Sequence, residues 1–381
     1  MPTIDPVARA LVPVDSEAAD AIGAPNYDEF QSDEEVWELL QARPNSVLRA
    51  TMPHCHVATI DAIDEDGSDA SLAHAHVEMQ DLVNGPLTRE IRDLLWVYEI
   101  TRPERPEAPQ IGLGGLALTG EIRTPENPGG SIIRNEGIRE SKARGRARLI
   151  EATGVDMGTV NLAVDDTSRA FEEALEGHAN ANTASFETTD ELGNRHRVWP
   201  VTAAPAIASF RALLAAEHRA YVADGNHRSA AAAMLGYQHY LAVFFPARTM
   251  TIAPYNRLVE AGAVPANDVI VALRANFDIE PQLGGAYQPE RPHDIGLYDG
   301  SWWRLRPKDG TFDPRDAAQD IDADIVQRLF FADVLHVPDA RDDRLTFVGA
   351  NRDAEWLQDE VDSGRFRLAV TLPPVTMRQF I

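Results

Sequence analysis

The stretch "AYVADGNHRSAAAAM", Ala220 to Met234, constrains the fold more than any other. A short apolar run stops at Asp224 and Gly225. An amide, an imidazole and a guanidinium follow at Asn226, His227 and Arg228, and then four alanines from Ala230 to Ala233. An apolar run closed by Asp-Gly reads as a strand entering a turn, because glycine admits the left-handed backbone that a tight turn needs. Alanine is the best helix former, so a helix is expected directly after the turn. "YLAVFFPA" then reads as a second apolar strand. The strand–helix–strand order predicts a parallel crossover centred on the turn.

The chemistry of such a turn follows from its shape. The first N–H groups of a helix and the dipole behind them bind phosphate. Gly225, Asn226, Arg228 and Ser229 stand at that helix start, and arginine adds a two-pronged grip on phosphate. Asp224, beside the same space, is suited to hold a metal ion or to take a proton from a hydroxyl. A structural reading competes: Asp224 caps the helix and His227 bonds a backbone carbonyl.

The rest of the chain sets limits. It has 381 residues, 44% of them hydrophobic, enough for a buried core and for more than one domain. The formal net charge is −25, a surface that repels nucleic-acid phosphates and anionic membranes. Lys142 and Lys308 are the only lysines and the other cations are arginines, which fits an Arg- and Ala-rich coding bias better than salt adaptation. No apolar run reaches the roughly 18 residues of a membrane helix. The first twenty residues do not resemble a secretory signal, and a single cysteine, Cys55, permits no internal disulfide. A cytoplasmic protein is expected, with no nucleic acid or membrane as partner and with room for a homo-oligomer.

Elsewhere the pattern alternates between helix and strand. "SDEEVWELLQAR" predicts a helix capped by Ser32, with Glu35 completing a capping box. "GPLTREIRDLLWVYEI" predicts a helix that becomes a strand near Trp96–Ile100, and "PERPEAPQ" a loop before the strand "IGLGGLALTGEI". "TTDELGNRHRVWPVTA" and "HDIGLYDGSWWRLRP" read as hairpins, and "AAPAIASFRALLAAEHR" as an amphipathic helix. The class is α+β, mixed α/β with mixed sheets. Three regions are expected: 1–125, an N-terminal α/β region; 126–265, a core holding the turn; and 266–381, a C-terminal α/β region.

Other motifs carry less. "GLGGLA" matches GxGxxA, but strand and turn follow it where a dinucleotide site needs a helix, so a Rossmann reading fails. No GxxxxGK[ST] exists. His54 and His56 in "HCH", and His74 and His76 in "HAH", would share a strand face and suit a soft metal, but no third cluster in the sequence completes a site. Nothing local specifies a base that would make Cys55 a nucleophile. "IIRNEGIRESKARGR" gathers Arg134, Arg139, Lys142, Arg144, Arg146 and Arg148 in an acidic protein. One reading is a solvated helix face with Glu136 and Glu140 pairing one turn along. The other is a basic wall for an anionic ligand, with Glu136 as an acid or base.

These residues resemble a bacterial and archaeal family catalogued as a domain of unknown function, whose hallmark is a DGHHRY-type motif. "APNYDEF", "IIRNEGIRESKARGRARLIEATG", "YVADGNHRSAAAAM", "NRLVE" and "LAVTLPPVTMRQF" are each similar to a segment of that family, so the resemblance covers most of the chain. The turn is also similar to the phosphate-gripping turn of the ParB and sulfiredoxin superfamily, which includes free-serine kinases of the SerK type. The resemblance implies a ParB/sulfiredoxin-like core and nucleotide or phosphate-ester chemistry on a small hydroxylated metabolite such as serine. On this pattern Asp224, Glu136 and His227 are catalytic. Gly225, Asn226, Arg228, Ser229, Arg134 and Arg146 hold phosphate or nucleotide. Tyr27, Asp28 and Asn135 hold substrate, and Asp224 binds the metal. Mg2+ is expected as cofactor, with ADP or ATP as co-substrate. The chain departs from the pattern at Asn226 and Asn135, each in place of histidine, at Gly145 in place of an acid and at Asn26 in place of proline. A family-like C-terminal tail is also expected, and Ile381 is reached without it.

A small-molecule kinase of the free-serine type is therefore the leading expectation. A phosphatase acting on a phosphorylated amino or hydroxy acid such as phosphoserine uses the same groups in reverse. A nucleotide sensor without turnover is the third, favoured by the two asparagines. A ParB-like DNA role conflicts with the charge.

Overall fold

A computed structural model describes residues 1–134, 139–260 and 266–380. The chain forms two compact units, Met1–Met250 and Thr251–Ile381. In the first unit the elements run β1 (Val7–Pro13), α1 (Ser16–Ile22), α2 (Asp33–Ala42), α3 (Leu48–Thr51), α4 (Asp69–Asn84), β2 (Thr88–Thr101), β3 (Gln110–Leu118) and β4 (Ile132–Ile133). They continue with α5 (Glu140–Thr153), β5 (Val160–Val164), α6 (Ala170–Ala181), β6 (Phe186–Thr189), β7 (Arg195–Val201), α7 (Ala204–Leu214), β8 (Ala220–Asp224), α8 (Asn226–Met234) and β9 (His239–Pro246). The second unit holds β10 (Asn256–Glu260), α9 (Ala266–Leu273), β11 (Phe277–Pro281), β12 (Ile295–Tyr298), β13 (Trp302–Pro307), α10 (Asp322–Val326), β14 (Leu345–Val348), α11 (Ala354–Asp362), β15 (Phe366–Thr371) and α12 (Met377–Phe380). The class is the expected α+β with mixed sheets.

The first unit is built on a nine-stranded sheet in the order β4-β8-β5-β9-β3-β2-β7-β6, with β1 added along β2. Its strands expected to lie in separate regions, β3 and β9, pair directly with Leu113 opposite Phe244. One core joins Leu95, Val97, Leu113, Leu162 and Phe244 of the strands to Phe171 and Leu175 of α6 and Phe210 and Leu214 of α7. Burying such side chains stabilises by roughly 1.5–3 kcal/mol each. The glycines of "GLGGLA" lie within β3, and a Cβ on Gly114 would fall 1.9 Å from the Trp96 ring. They let bulky neighbours lie flat on the strand, and only the one-turn 3-10 helix Thr119–Glu121 follows where a dinucleotide site needs an α-helix. The second unit is a six-stranded sheet, β11-β13-β12-β15-β10-β14, paired antiparallel throughout. Phe277, Leu297, Leu305, Phe330 and Val370 lie in its core. Among the described residues no helix is long and apolar enough to cross a membrane.

Several local expectations hold. Ser32 Oγ accepts from the Glu35 N–H at 3.3 Å, and the Glu35 carboxylate returns to the Gln31 N–H at 3.0 Å, one residue short of a full capping box. Both hairpins form, β6–β7 and β12–β13.

Three expectations are corrected. Residues 88–101 are one 14-residue strand, so its leading half is not helical; the helix before it, α4, ends at Asn84. Its leading half pairs with β1, Leu11 opposite Glu90, and its trailing half with β3 and β7. Leu, Glu and Arg favour a helix in isolation, but an available partner strand overrides so weak a preference. Second, β8 and β9 are not a parallel crossover. β5 lies between them, antiparallel to β8 and parallel to β9, so β8 and β9 run in opposite directions. Third, "HCH" and "HAH" are not strands. His54 and Cys55 sit in a short 3-10 turn, Pro53–Cys55, and His74 and His76 sit on α4.

Candidate functional site

The strand β8 is buried at Ala220 and Val222 and emerges at Asp224. Gly225 then takes φ +94° and ψ 26°, left-handed, and α8 begins at Asn226. The turn is crowded as well as left-handed: a Cβ at Gly225 would lie 3.1 Å from Arg228 Nε and from Val160 Cα. The N–H groups of Arg228 and Ser229 close on the Gly225 carbonyl at 3.0 and 3.1 Å.

Arg228 folds back under the turn. Its side chain is only 10% exposed and pairs with Asp224 at 2.5 Å, and Nη1 donates to the Thr159 carbonyl. Its Nε is buried with no hydrogen-bond partner among the described residues. Asp224 is half-exposed and gives Oδ2 to Arg228. Ser229 is fully buried and its hydroxyl donates to the Asn226 carbonyl at 3.0 Å, so that group faces its own helix. His227 Nε2 accepts the backbone N–H of Arg139 at 2.9 Å. That bond ties the start of α8 to the start of α5, and Ala147 and Ile150 of α5 pack on Ala231 of α8.

The basic segment is divided among tasks. β4 pairs parallel with β8, Ile133 opposite Tyr221, and so sets Arg134 beside the strand that carries the turn. Burial lowers the basicity of Arg134, and its Nε has no hydrogen-bond partner among the described residues. Arg146 lies over the Tyr27 ring, 3.3 Å from its centroid, and reaches the Thr51 carbonyl at 3.4 Å. Arg144 pairs with Glu140 at the surface, the i, i+4 pair of the solvated reading. Arg148 bonds the Gly67 carbonyl and Asp69. Asn135 and Glu136 lie outside the described residues. Asp28 lies in the 3-10 turn Tyr27–Glu29, next to Tyr27.

Two groups at the turn escaped the sequence reading. The loop after α5 carries Asp156 between Gly154 and Gly158, both left-handed with φ +70° and +85°. Asp156 accepts from the Leu241 N–H at 3.1 Å. Burial raises its carboxyl above the ordinary range, while that bond and the Arg228 charge act against the rise. The Thr159 carbonyl takes the Arg228 fork from the same loop. The signal was an acid flanked by two glycines in "GVDMG". Asp156, Met157 and Thr159 also line a mainly apolar cavity of about 620 Å³ together with Met79, Trp96 and Leu241.

A family model described as "Protein of unknown function (DUF1015)" matches residues 4–329. The chain belongs to this family. Among curated proteins none matches. Solved structures with some likeness include a conserved hypothetical protein from Pyrococcus furiosus, at 10% identity and a TM-score of 0.36, covering 70% of this chain and 82% of that one. A free serine kinase in complex with AMP is similar at 9% identity and a TM-score of 0.37, covering 70% and 79%. A variant of such a kinase in complex with ADP is similar at 7% identity and the same TM-score, covering 70% and 80%. Likeness this slight carries no function across. In this DUF1015 chain the reading rests on the residues at the turn.

Proposed function

We propose that the β8–α8 turn is the phosphate site of a nucleotide-dependent phosphotransferase acting on a small hydroxylated metabolite, a kinase of the free-serine type. The observation that carries the reading is Arg134. A half-buried guanidinium whose Nε is buried without a hydrogen-bond partner among the described residues, next to the strand that ends in a left-handed glycine and a helix start, suits an anion that completes it. Gly225 gives backbone to a phosphate without a side chain in the way. Arg228 stiffens the turn from beneath through Thr159 and Asp224, and His227 positions α5 against it. The family resemblance assigns the metabolite to Tyr27, Asp28 and Asn135, and Arg146, stacked on Tyr27, would hold phosphate beside it.

Mg2+ fits this donor set in the manner of nucleotide sites, where one or two carboxylates and the phosphates share the ion. Asp224 offers Oδ1, since Oδ2 serves Arg228. Bound there, the ion would neutralise charge on the transferring phosphoryl group. The protein's own part is to orient the hydroxyl and accept its proton, at Asp224 or Glu136.

A nucleotide sensor without turnover is the second reading. The Arg228–Asp224 pair favours it, because the arginine already occupies one of the two carboxylate oxygens that a base would use. Calorimetric titration of the full-length chain with ADP and ATP, with and without Mg2+, tests both. The proposal expects saturable binding, and the absence of any heat with either nucleotide overturns it. Phosphorylated product from serine then separates kinase from sensor.

A further inference from the structure

The histidines that seemed to lack a partner in the sequence have one in the fold. The chain leaves α3 through the turn at Pro53–Cys55 and brings His56 against α4. On α4, His74 and Glu78 are one helical turn apart and face the same way. His56 Nδ1 is 3.3 Å from Glu78 Oε1, and His74 Nε2 is 3.1 Å from that same oxygen. The three ligand atoms all lie within 4.8 Å of one another. His56 Nδ1 is buried and makes no hydrogen bond among the described residues, although a carboxylate stands beside it. The two imidazole rings stack at 5.1 Å, and each turns a nitrogen to Glu78 Oε1.

We propose that His56, His74 and Glu78 form a binding site for a divalent transition metal ion of the zinc class, with the remaining position left to water. Two imidazoles and one carboxylate are a known donor set for such an ion. Bonds of about 2.0–2.1 Å in a tetrahedron put ligand atoms about 3.3–3.4 Å apart, close to the 3.3 and 3.1 Å between Glu78 Oε1 and the two nitrogens. The far oxygen of Glu78 lies 3.3 Å from Arg49 Nη1, so the arginine orients the carboxylate and leaves Oε1 for the ion. Glu78 is buried, and the oxygen that faces both imidazoles is the one left for a cation to complete. Arg49 supplies part of that charge and also opposes a dication. The site joins the Met52–Val57 turn to α4. His54 and Cys55 belong to a separate group with Asp33 on the other side of the turn, and His76 is committed to the Ala152 carbonyl at 2.8 Å.

The test uses the full-length chain without a histidine tag, stripped by chelator and titrated with Co2+ and then Zn2+. One equivalent of Co2+ is expected to give visible ligand-field absorption of tetrahedral strength, with no thiolate charge-transfer band, and Zn2+ is expected to displace it. His74→Gln is expected to weaken Co2+ binding at least tenfold, and Cys55→Ser to leave it unchanged. Circular dichroism checks that each variant is folded, and His56→Gln takes the place of His74→Gln if that variant is not. The proposal is overturned if the stripped chain shows no saturable cobalt spectrum, or if the folded histidine variant binds as the parent does. A charge-transfer band that disappears in Cys55→Ser also overturns it, because it moves the ion to the Asp33–His54–Cys55 group.

Discussion

The guanidinium of Arg146 lies over the ring of Tyr27, 3.3 Å from its centroid, across more than a hundred residues of sequence. The 3-10 turn that follows α1 is thereby fastened to the middle of α5. A cation over an aromatic face contributes about 0.5–2 kcal/mol, more as the pair loses water. A double-mutant cycle of Tyr27→Leu and Arg146→Met is expected to return a coupling in that range by urea unfolding. A coupling near zero would make the stack incidental.

Gly225 is required twice, by its backbone and by its neighbours. Its φ is +94°, and a Cβ there would press on Arg228 and Val160 at 3.1 Å. Gly225→Ala is expected to cost about 1–3 kcal/mol, and more if β5 and β8 cannot separate slightly. Chemical denaturation measures it. An unchanged midpoint would mean that the turn relaxes without help.

Arg228 is the hinge between structure and function at the turn. Losing its charged hydrogen bonds should weaken nucleotide binding by ~1.5–3 kcal/mol in Arg228→Ala, roughly 10- to 150-fold in Kd. Arg228→Lys keeps the charge but not the fork to Thr159 and Asp224, and is expected to lie between the two. Equal affinity in all three proteins would confine Arg228 to a structural role.

How much of this was legible beforehand depended on distance along the chain. The turn itself was legible, because Asp224, Gly225 and the alanines are neighbours and their preferences agree. So was the helix capped by Ser32. What failed was pairing at long range. Nothing in "AYVAD" or "YLAVFF" says that Val160–Val164 will enter between them, so β8 and β9 read as parallel. Nothing in "TREIRDLL" announces β1. His56 needed Glu78, which became a neighbour of His74 only once "HAH" was seen to be helical. Asp156 was passed over because its partners, Leu241 and Arg228, are more than 70 residues away.

Cys55 is expected to be inert. It is fully buried, and burial with the nearby carboxylates of Asp33 and Asp66 pushes its thiol up to about 12. The thiolate is the reactive form, so at pH 8 the native protein should resist a disulfide-exchange reagent over hours and react promptly in denaturant. Fast labelling of the native chain would show that the Pro53–Cys55 turn opens readily.

The carboxyl of Asp156 gives the clearest dependence on pH. Burial raises it above its ordinary value of 3.8 in the folded protein. Between the unfolded and folded values the native state holds a proton that the unfolded state has released. Stability therefore falls as pH rises through that window, and above it the buried charge remains a standing cost. Below the unfolded value both states are protonated and the group contributes nothing. Asp156→Asn keeps an acceptor for the Leu241 N–H and removes the charge. The variant should melt higher than the parent at pH 7, and the difference should close as pH falls toward 4. A variant that melts lower at pH 7 would mean that attraction to Arg228 outweighs burial, and that Asp156 works as the counter-ion which holds the arginine under the turn.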